Sequence, residues 1–296
     1  MHYVRLPMRS APTTDGVDVA FEDLGGDGPP LLLAHATGFH GQVWRPLIAE
    51  LGGRFRCIVF DERGHGDTSP RADGVFEWRG FARDALAVVD ALRLTHDDRG
   101  LFGVGHSAGG AALLMAEMDR PGTFRSLYCY EPIVPPVTEG GSLLVETRAN
   151  PLAEGARRRR DVFPSKEAAR SNFASKPPLS ILREDALRAY VDHGFVDVGD
   201  GSGAVRLKCR PESEARTYEM GGQHGAFLQL AEVACPVTVA CGELTTTFGP
   251  PVFALQAERL ADGHLEVLPG LGHFGPMEDP AAVAASVLEA FAPLLG

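Results

Sequence analysis

The 296-residue sequence has no stretch approaching the roughly 18 consecutive apolar residues of a membrane-spanning helix, so no membrane association is expected. Basic residues are also short. Lys and Arg number 28 against 39 Asp and Glu, a formal net charge of −11. That sign argues against nucleic acid as a partner, because phosphate binding needs a basic surface. The one basic run, Arg157–Arg160, reads as a solvated helix face. Cysteine is sparse and unpaired in pattern: five residues, at 57, 129, 209, 235 and 241, with no C-x-x-C. An odd count without paired spacing does not suit a disulfide framework and points to buried thiols in a reducing compartment. The start, Met1-His-Tyr-Val-Arg-Leu-Pro7, lacks the charged region and apolar core of a secretory signal, and a cytoplasmic location is the expectation. There is no internal repeat and no low-complexity tract. No two histidines stand at metal-ligand spacing with a carboxylate nearby, so no metal is expected, and no organic cofactor is implied.

What the chain does have is a series of short apolar runs: Val17–Phe21, Leu31–Ala34, Cys57–Phe60, Leu101–Val104, Leu127–Tyr130, Val237–Cys241 and Leu265–Leu268. Amphipathic helical patterns fall between them at Val43–Leu51, Phe81–Leu92 and Ala111–Met118, and Ala281–Phe291 closes the chain. Continuous apolar strands alternating with such helices predict an α/β fold, with a mostly parallel central sheet covered by helices on both faces. The alternation breaks in the proline-punctuated stretch 132–234. Helical patterns there, Ser165–Ala174 and Leu182–Val191, precede a turn at Asp200–Gly203 and a short extended piece at Val205–Cys209. The expected organisation is a core of residues 1–131 and 235–296 with 132–234 inserted as a helical lid.

Ligands of parallel sheets sit at the C-terminal ends of the strands, so the residues just after each run carry the chemistry. Gly105-His-Ser-Ala-Gly109 lies between an apolar run and a helix-forming stretch, the layout of a nucleophile elbow. The pentapeptide alone is weak, since a glycine-rich chain can supply it by chance. Around it, His35-Ala-Thr-Gly-Phe-His40, Asp61–Ser69, Glu131, Gly242-Glu243 and Gly272-His273-Phe274 follow the other runs. A serine, an acid and a histidine thus recur at strand ends in the order Ser, acid, His.

With these motifs the chain resembles the α/β-hydrolase fold superfamily over nearly its full length, from about Thr14 to Leu295. It is most similar to the capped subgroup of serine esterases and lactonases. The resemblance implies Ser107 as nucleophile and His273 as its base. Epoxide hydrolases and haloalkane dehalogenases carry an aspartate where this chain has Ser107, which favours acyl transfer. His106, His35 and His65 read as structural, and His40 and His224 as possible pocket residues. Arg63 reads as a tie between loops. The resemblance further implies an oxyanion hole from the amides of Ala108, at a helix N-terminus, and Thr37.

The triad acid departs from the commonest pattern. Resembling enzymes often carry Gly-x-x-Asp after the strand at Val237–Cys241, whereas here Gly242-Glu-Leu-Thr245 puts a threonine in that place. Two carboxylates remain, Glu131, as in a subgroup that places the acid after the strand preceding the lid, and Glu243 as the alternative. The expected activity is cleavage of a carboxylic ester or lactone, with an apolar small-molecule substrate held by Phe39, Trp44 and His224, and with Phe163, Phe173 and Phe195 as further lid candidates. Amide or carbon–carbon bond hydrolysis on the same triad, perhydrolysis, and a non-catalytic small-ligand receptor are the rivals. A monomer and a homodimer are both compatible with the sequence.

Overall fold

A computed structural model describes residues 8–138, 141–142 and 150–295. Its main sheet has eight strands: β1 (Arg9–Pro12), β2 (Asp18–Asp23), β3 (Pro30–Ala34), β4 (Arg56–Phe60), β5 (Phe102–His106), β6 (Ser126–Tyr130), β12 (Val237–Gly242) and β13 (Gly263–Leu268). Their order is β1-β2-β4-β3-β5-β6-β12-β13. The β1–β2 and β2–β4 pairs are antiparallel and every later pair is parallel.

Strand alternation sorts the core into two layers. Leu32, Ala34, Ile58 and Phe60 face α2 (Arg79–Leu92) and α3 (Ala108–Asp119), while Leu31, Leu33, Cys57 and Val59 face α1 (Arg45–Glu50) and α10 (Pro280–Leu295). Apolar on every side, α3 is buried from Ala108 to Met118, as expected of a helix enclosed by the protein. Two elements lay outside the expectation. Strand β1 sits at the sheet edge with only Ala11 buried, so it carries no apolar run to announce it. Helix α8 (Pro250–Arg259) provides the crossover that two parallel neighbours, β12 and β13, require.

Between β6 and β12 the chain makes an excursion of its own. It holds β7 (Val137–Thr138), β8 (Gly141–Ser142), α4 (Pro151–Arg157), β9 (Val162–Phe163), α5 (Lys166–Ala174), α6 (Glu184–Gly194), β10 (Phe195–Asp197), β11 (Val205–Leu207) and α7 (Pro211–Met220). Helix α5 is capped by Ser165, whose Oγ accepts from the Ala168 amide, and Pro211 opens α7. The expected purely helical insertion is corrected in one respect: β10, β11 and β9 form a small antiparallel sheet. Short strands such as Val162–Phe163 have too few residues to show a period. Phe163, Phe173 and Phe195 pack on one another beneath this sheet, with ring centroids 5.5–6.2 Å apart, as the insertion's own core. None of the described helices is long and apolar enough to cross a membrane. After β13 come α9 (Gly275–Glu278) and α10.

Candidate active site

Strand β5 reads Phe-Gly-Val-Gly-His. Phe102 and Val104 face the α10 layer, which leaves glycines on the side of α3. A Cβ on Gly105 would come 2.6 Å from the Gly110 Cα, and one on Gly109 would come 2.4 Å from the Ala34 carbonyl oxygen. Strand and helix therefore meet backbone to backbone, and no residue larger than glycine fits at either place. Ser107 sits at the junction with φ 56° and ψ −115°, a conformation costing roughly 1–3 kcal/mol. Its amide donates to the Tyr130 carbonyl (2.9 Å), and its carbonyl accepts from the amides of Ala111 and Ile133 (both 3.2 Å). These bonds hold the strained residue in place.

Glu131 is the first residue after β6 and also has a positive φ, 47°. Among the described residues only Arg93, Ser107 and Glu131 combine a side chain beyond glycine with positive φ, and two of the three are here. The Glu131 amide donates to the Ala240 carbonyl at 2.7 Å. Its carboxylate, fully buried, lies with Oε2 2.6 Å from His273 Nδ1. Oε1 accepts from the Gly242 amide at 3.0 Å, and Oε2 also accepts from the Thr245 hydroxyl at 2.7 Å. Three donors and no acceptor surround the group, the environment of an ionised carboxylate. Glu243 is exposed, and its Oε2 accepts from the Gly270 amide at 3.0 Å, capping a loop away from the histidine.

His273 lies in the loop between β13 and α9. The glycines around it suggest mobility from sequence, yet this loop is pinned. Tyr130 donates its hydroxyl to the Gly272 carbonyl (2.7 Å), and Glu278 accepts from the amides of Gly272 and Phe274 (3.0 Å each). His106 donates Nε2–H to the His273 carbonyl at 2.8 Å, with the two rings 4.9 Å apart. Burial holds His106 well below the usual histidine range, so it stays neutral beside its neighbour. A Cβ on Gly275 would lie 2.1 Å from the Tyr130 hydroxyl oxygen, and one on Gly242 would lie 2.2 Å from the Leu271 carbonyl oxygen. Close approach, then, is what these glycines permit.

The loop after β3 meets the start of α3 through the same Gly109 contact. Among the described residues neither the Thr37 nor the Ala108 amide donates to a protein acceptor. His35 fixes this loop by donating Nδ1–H to the Ala36 carbonyl (2.8 Å) and accepting from the Glu62 amide at Nε2 (3.0 Å). Arg63 joins loops and helix, pairing with Asp15 and Asp84 at 2.7 Å each.

The expected pocket residues divide. Phe39 packs between Tyr190 of α6 and Phe274, the neighbour of His273, at centroid distances of 5.2 and 5.7 Å. Trp44 does not reach this region's surface: it is fully buried in the layer of α1 and α10, where its bulk serves packing. His224 is likewise occupied. It stacks on Trp78 at 5.2 Å, donates Nε2–H to the Ile133 carbonyl (3.0 Å) and accepts from the Ala226 amide at Nδ1 (3.2 Å). It thereby ties the outgoing arm of the insertion to the returning one. His40 donates Nε2–H to the Tyr190 carbonyl at 3.0 Å, and burial depresses its pKa to about 3. Sequence reasoning missed Tyr130, Glu278 and the hydroxyl of Thr245. Only Thr245 carried a signal, as the residue standing where an acid was sought. Among the described residues no group of three or more His, Cys, Asp or Glu side chains is placed to hold a metal.

A profile of the Alpha/beta hydrolase family matches residues 31–286. The chain belongs to this family. Over 249 residues it is 24% identical to 2-(acetamidomethylene)succinate hydrolase of Mesorhizobium japonicum, covering 84% of this chain and 83% of that protein. It is 30% identical over 106 residues to the Homo sapiens monoglyceride lipase, 35% of each chain. The crystal structure of an E-2-(acetamidomethylene)succinate hydrolase superposes with a TM-score of 0.78 over 96% of this chain and 99% of that one, at 21% identity. At that identity the likeness speaks for the fold. In this alpha/beta hydrolase, as the fold requires, the elbow lies at the carboxyl end of a central strand, β5, between β3 and β6.

Proposed function

We propose that the protein is a serine hydrolase that cleaves a carboxylic ester or lactone through Ser107, His273 and Glu131. The observation that carries this reading is the 2.6 Å contact of His273 Nδ1 with a buried Glu131 carboxylate, beside a serine held in a strained elbow. A serine hydroxyl is a poor nucleophile without a base. With Nδ1–H given to Glu131, the His273 ring carries its lone pair on Nε2, the atom that takes the Ser107 proton as Oγ attacks the acyl carbonyl. Glu131 fixes that tautomer and stabilises the imidazolium, without accepting its proton. The negative oxygen of the tetrahedral intermediate is received by the Thr37 and Ala108 amides, the second at the N-terminus of α3. The alkoxide leaves with the proton returned by His273, and water, activated by the same ring, releases the acyl group.

The insertion serves as the lid, and the apolar wall of Phe39 and Phe274 beside His273 suits an apolar acyl or alcohol part. Trp44 and His224 take no part in this scheme. Amide hydrolysis is the second reading, favoured by the acetamido group in the name of a relative that matches over most of its length. A fluorophosphonate probe tests the first step: labelling of the intact protein at Ser107, lost in Ser107→Ala, is expected. No labelling, with no turnover of activated acyl esters, would overturn the hydrolase reading. A panel of p-nitrophenyl esters, lactones and acetanilides then separates ester from amide cleavage.

A further inference from the structure

We infer that Thr245 is a positioning residue of the catalytic machinery, and that its hydroxyl sets how strongly Glu131 holds the charge on His273. The inference rests on the serine-hydrolase reading and extends it to a residue outside the triad. One carboxylate oxygen, Glu131 Oε2, is shared by two donors: Thr245 Oγ1 at 2.7 Å and His273 Nδ1 at 2.6 Å. The direction of the threonine proton is fixed, because Thr245 Oγ1 itself accepts from the Thr247 amide at 3.3 Å. Its single hydrogen is therefore free for Glu131. The other oxygen is engaged by the Gly242 amide, so Glu131 cannot turn to escape the sharing.

Two consequences follow from ordinary hydrogen-bond chemistry. The threonine bond orients the carboxylate, and so the ring of His273, before substrate arrives. It also withdraws electron density from the oxygen that faces the imidazole, which makes Glu131 a weaker partner for the imidazolium. Removing the hydroxyl while keeping the shape leaves Oε2 to His273 alone. The protonated ring is then favoured, and the enzyme needs a higher pH to reach its active form. The other ionisable groups around the pair do not supply this effect. His106 is held neutral by burial, burial raises Tyr130 and raises Cys241 to about 12, and Glu278 is engaged with the amides of Gly272 and Phe274.

The test is the pH profile of kcat/KM for full-length Thr245→Val and Thr245→Ser, on an activated ester that the wild type turns over. In Thr245→Val we expect kcat to fall roughly 10-fold with KM little changed, and the acid limb to move to higher pH by about half a unit. Thr245→Ser, which keeps the hydroxyl, should restore both. An acid limb that stays in place or moves to lower pH in Thr245→Val would assign the residue to packing alone and overturn the inference. Equal loss in both variants would do the same. Fluorophosphonate labelling of each variant at Ser107 keeps the two questions apart, since failure of the parent reading would show as no labelling of the wild type.

Discussion

The carboxyl edge of the sheet and the insertion above it are built by different means. At the edge, main chain meets main chain. Gly105 and Gly109 let β3, β5 and α3 touch, Gly242 and Gly275 admit the histidine loop, and the site's hydrogen bonds run largely to amides and carbonyls. In the insertion, side chains do the joining. Arg157 pairs with Glu154, Glu212 and Glu219, Arg159 with Glu214, and three phenylalanines make a core of their own. Backbone contacts tolerate no substitution and fix atoms closely. Side-chain contacts can be exchanged for others of similar size and charge. The difference places the reaction in the first region and leaves room for substrate preference to vary in the second.

Exchanging the two candidate acids tests that contrast most severely. Glu131→Gln should lower turnover by about 10⁴-fold if the serine-protease precedent holds, because the amide disturbs the histidine tautomer. Glu243→Gln should leave turnover near the wild-type value, its carboxylate serving only the Gly270 amide. Near-normal activity in Glu131→Gln would break the assignment. Next in size is a pair of glycine substitutions. Gly109→Ala drives a methyl group onto a carbonyl oxygen 2.4 Å away and should cost about 3 kcal/mol in denaturant unfolding. Gly155→Ala, in α4, meets nothing within 4 Å and should be neutral, or stabilising by up to about 1 kcal/mol through helix propensity. Equal effects would remove the distinction between the two regions.

The smallest expected effect concerns pH. Burial lowers His224 to about 4, so between pH 6.5 and 4 the unfolded chain binds a proton there that the folded protein does not. Its contribution is fully present above pH 6.5 and declines as pH falls toward 4, by up to about 1.4 kcal/mol per unit. His35, His40, His65 and His106 are shifted the same way at the sheet edge. His224→Gln should therefore flatten, without abolishing, the acid side of a stability-against-pH curve measured by urea unfolding. An unchanged slope would show that this histidine does not titrate with unfolding.

What was legible in the sequence follows the same division. The buried parallel strands are continuous apolar runs, and Gly105–Gly109 announces its turn because only glycine fits there. Ser107, Glu131 and His273 were found by reading what comes directly after strands. Pocket residues fared differently, since burial is decided by packing across distant segments. Trp44 and Phe39 stand five residues apart, one enclosed in the core and the other beside the histidine loop. Nothing in the stretch from His224 to Gly225 signals that its ring will bond to Ile133, across 91 residues of chain. Thr245 was visible only as a missing aspartate, because a hydroxyl gains its meaning from the carboxylate it meets.

The Gly242 amide, 3.0 Å from Glu131 Oε1, has a use beyond structure. It is a main-chain proton pointed at a buried charge, with no side chain of its own to complicate the signal. In a protein prepared with isotopically labelled glycine, its NMR resonance would move with the charge on that carboxylate and with the strength of its bond to the imidazole. The fold thus contains a spectroscopic reporter of its own acid, readable during inhibition or turnover without attaching a probe to the site.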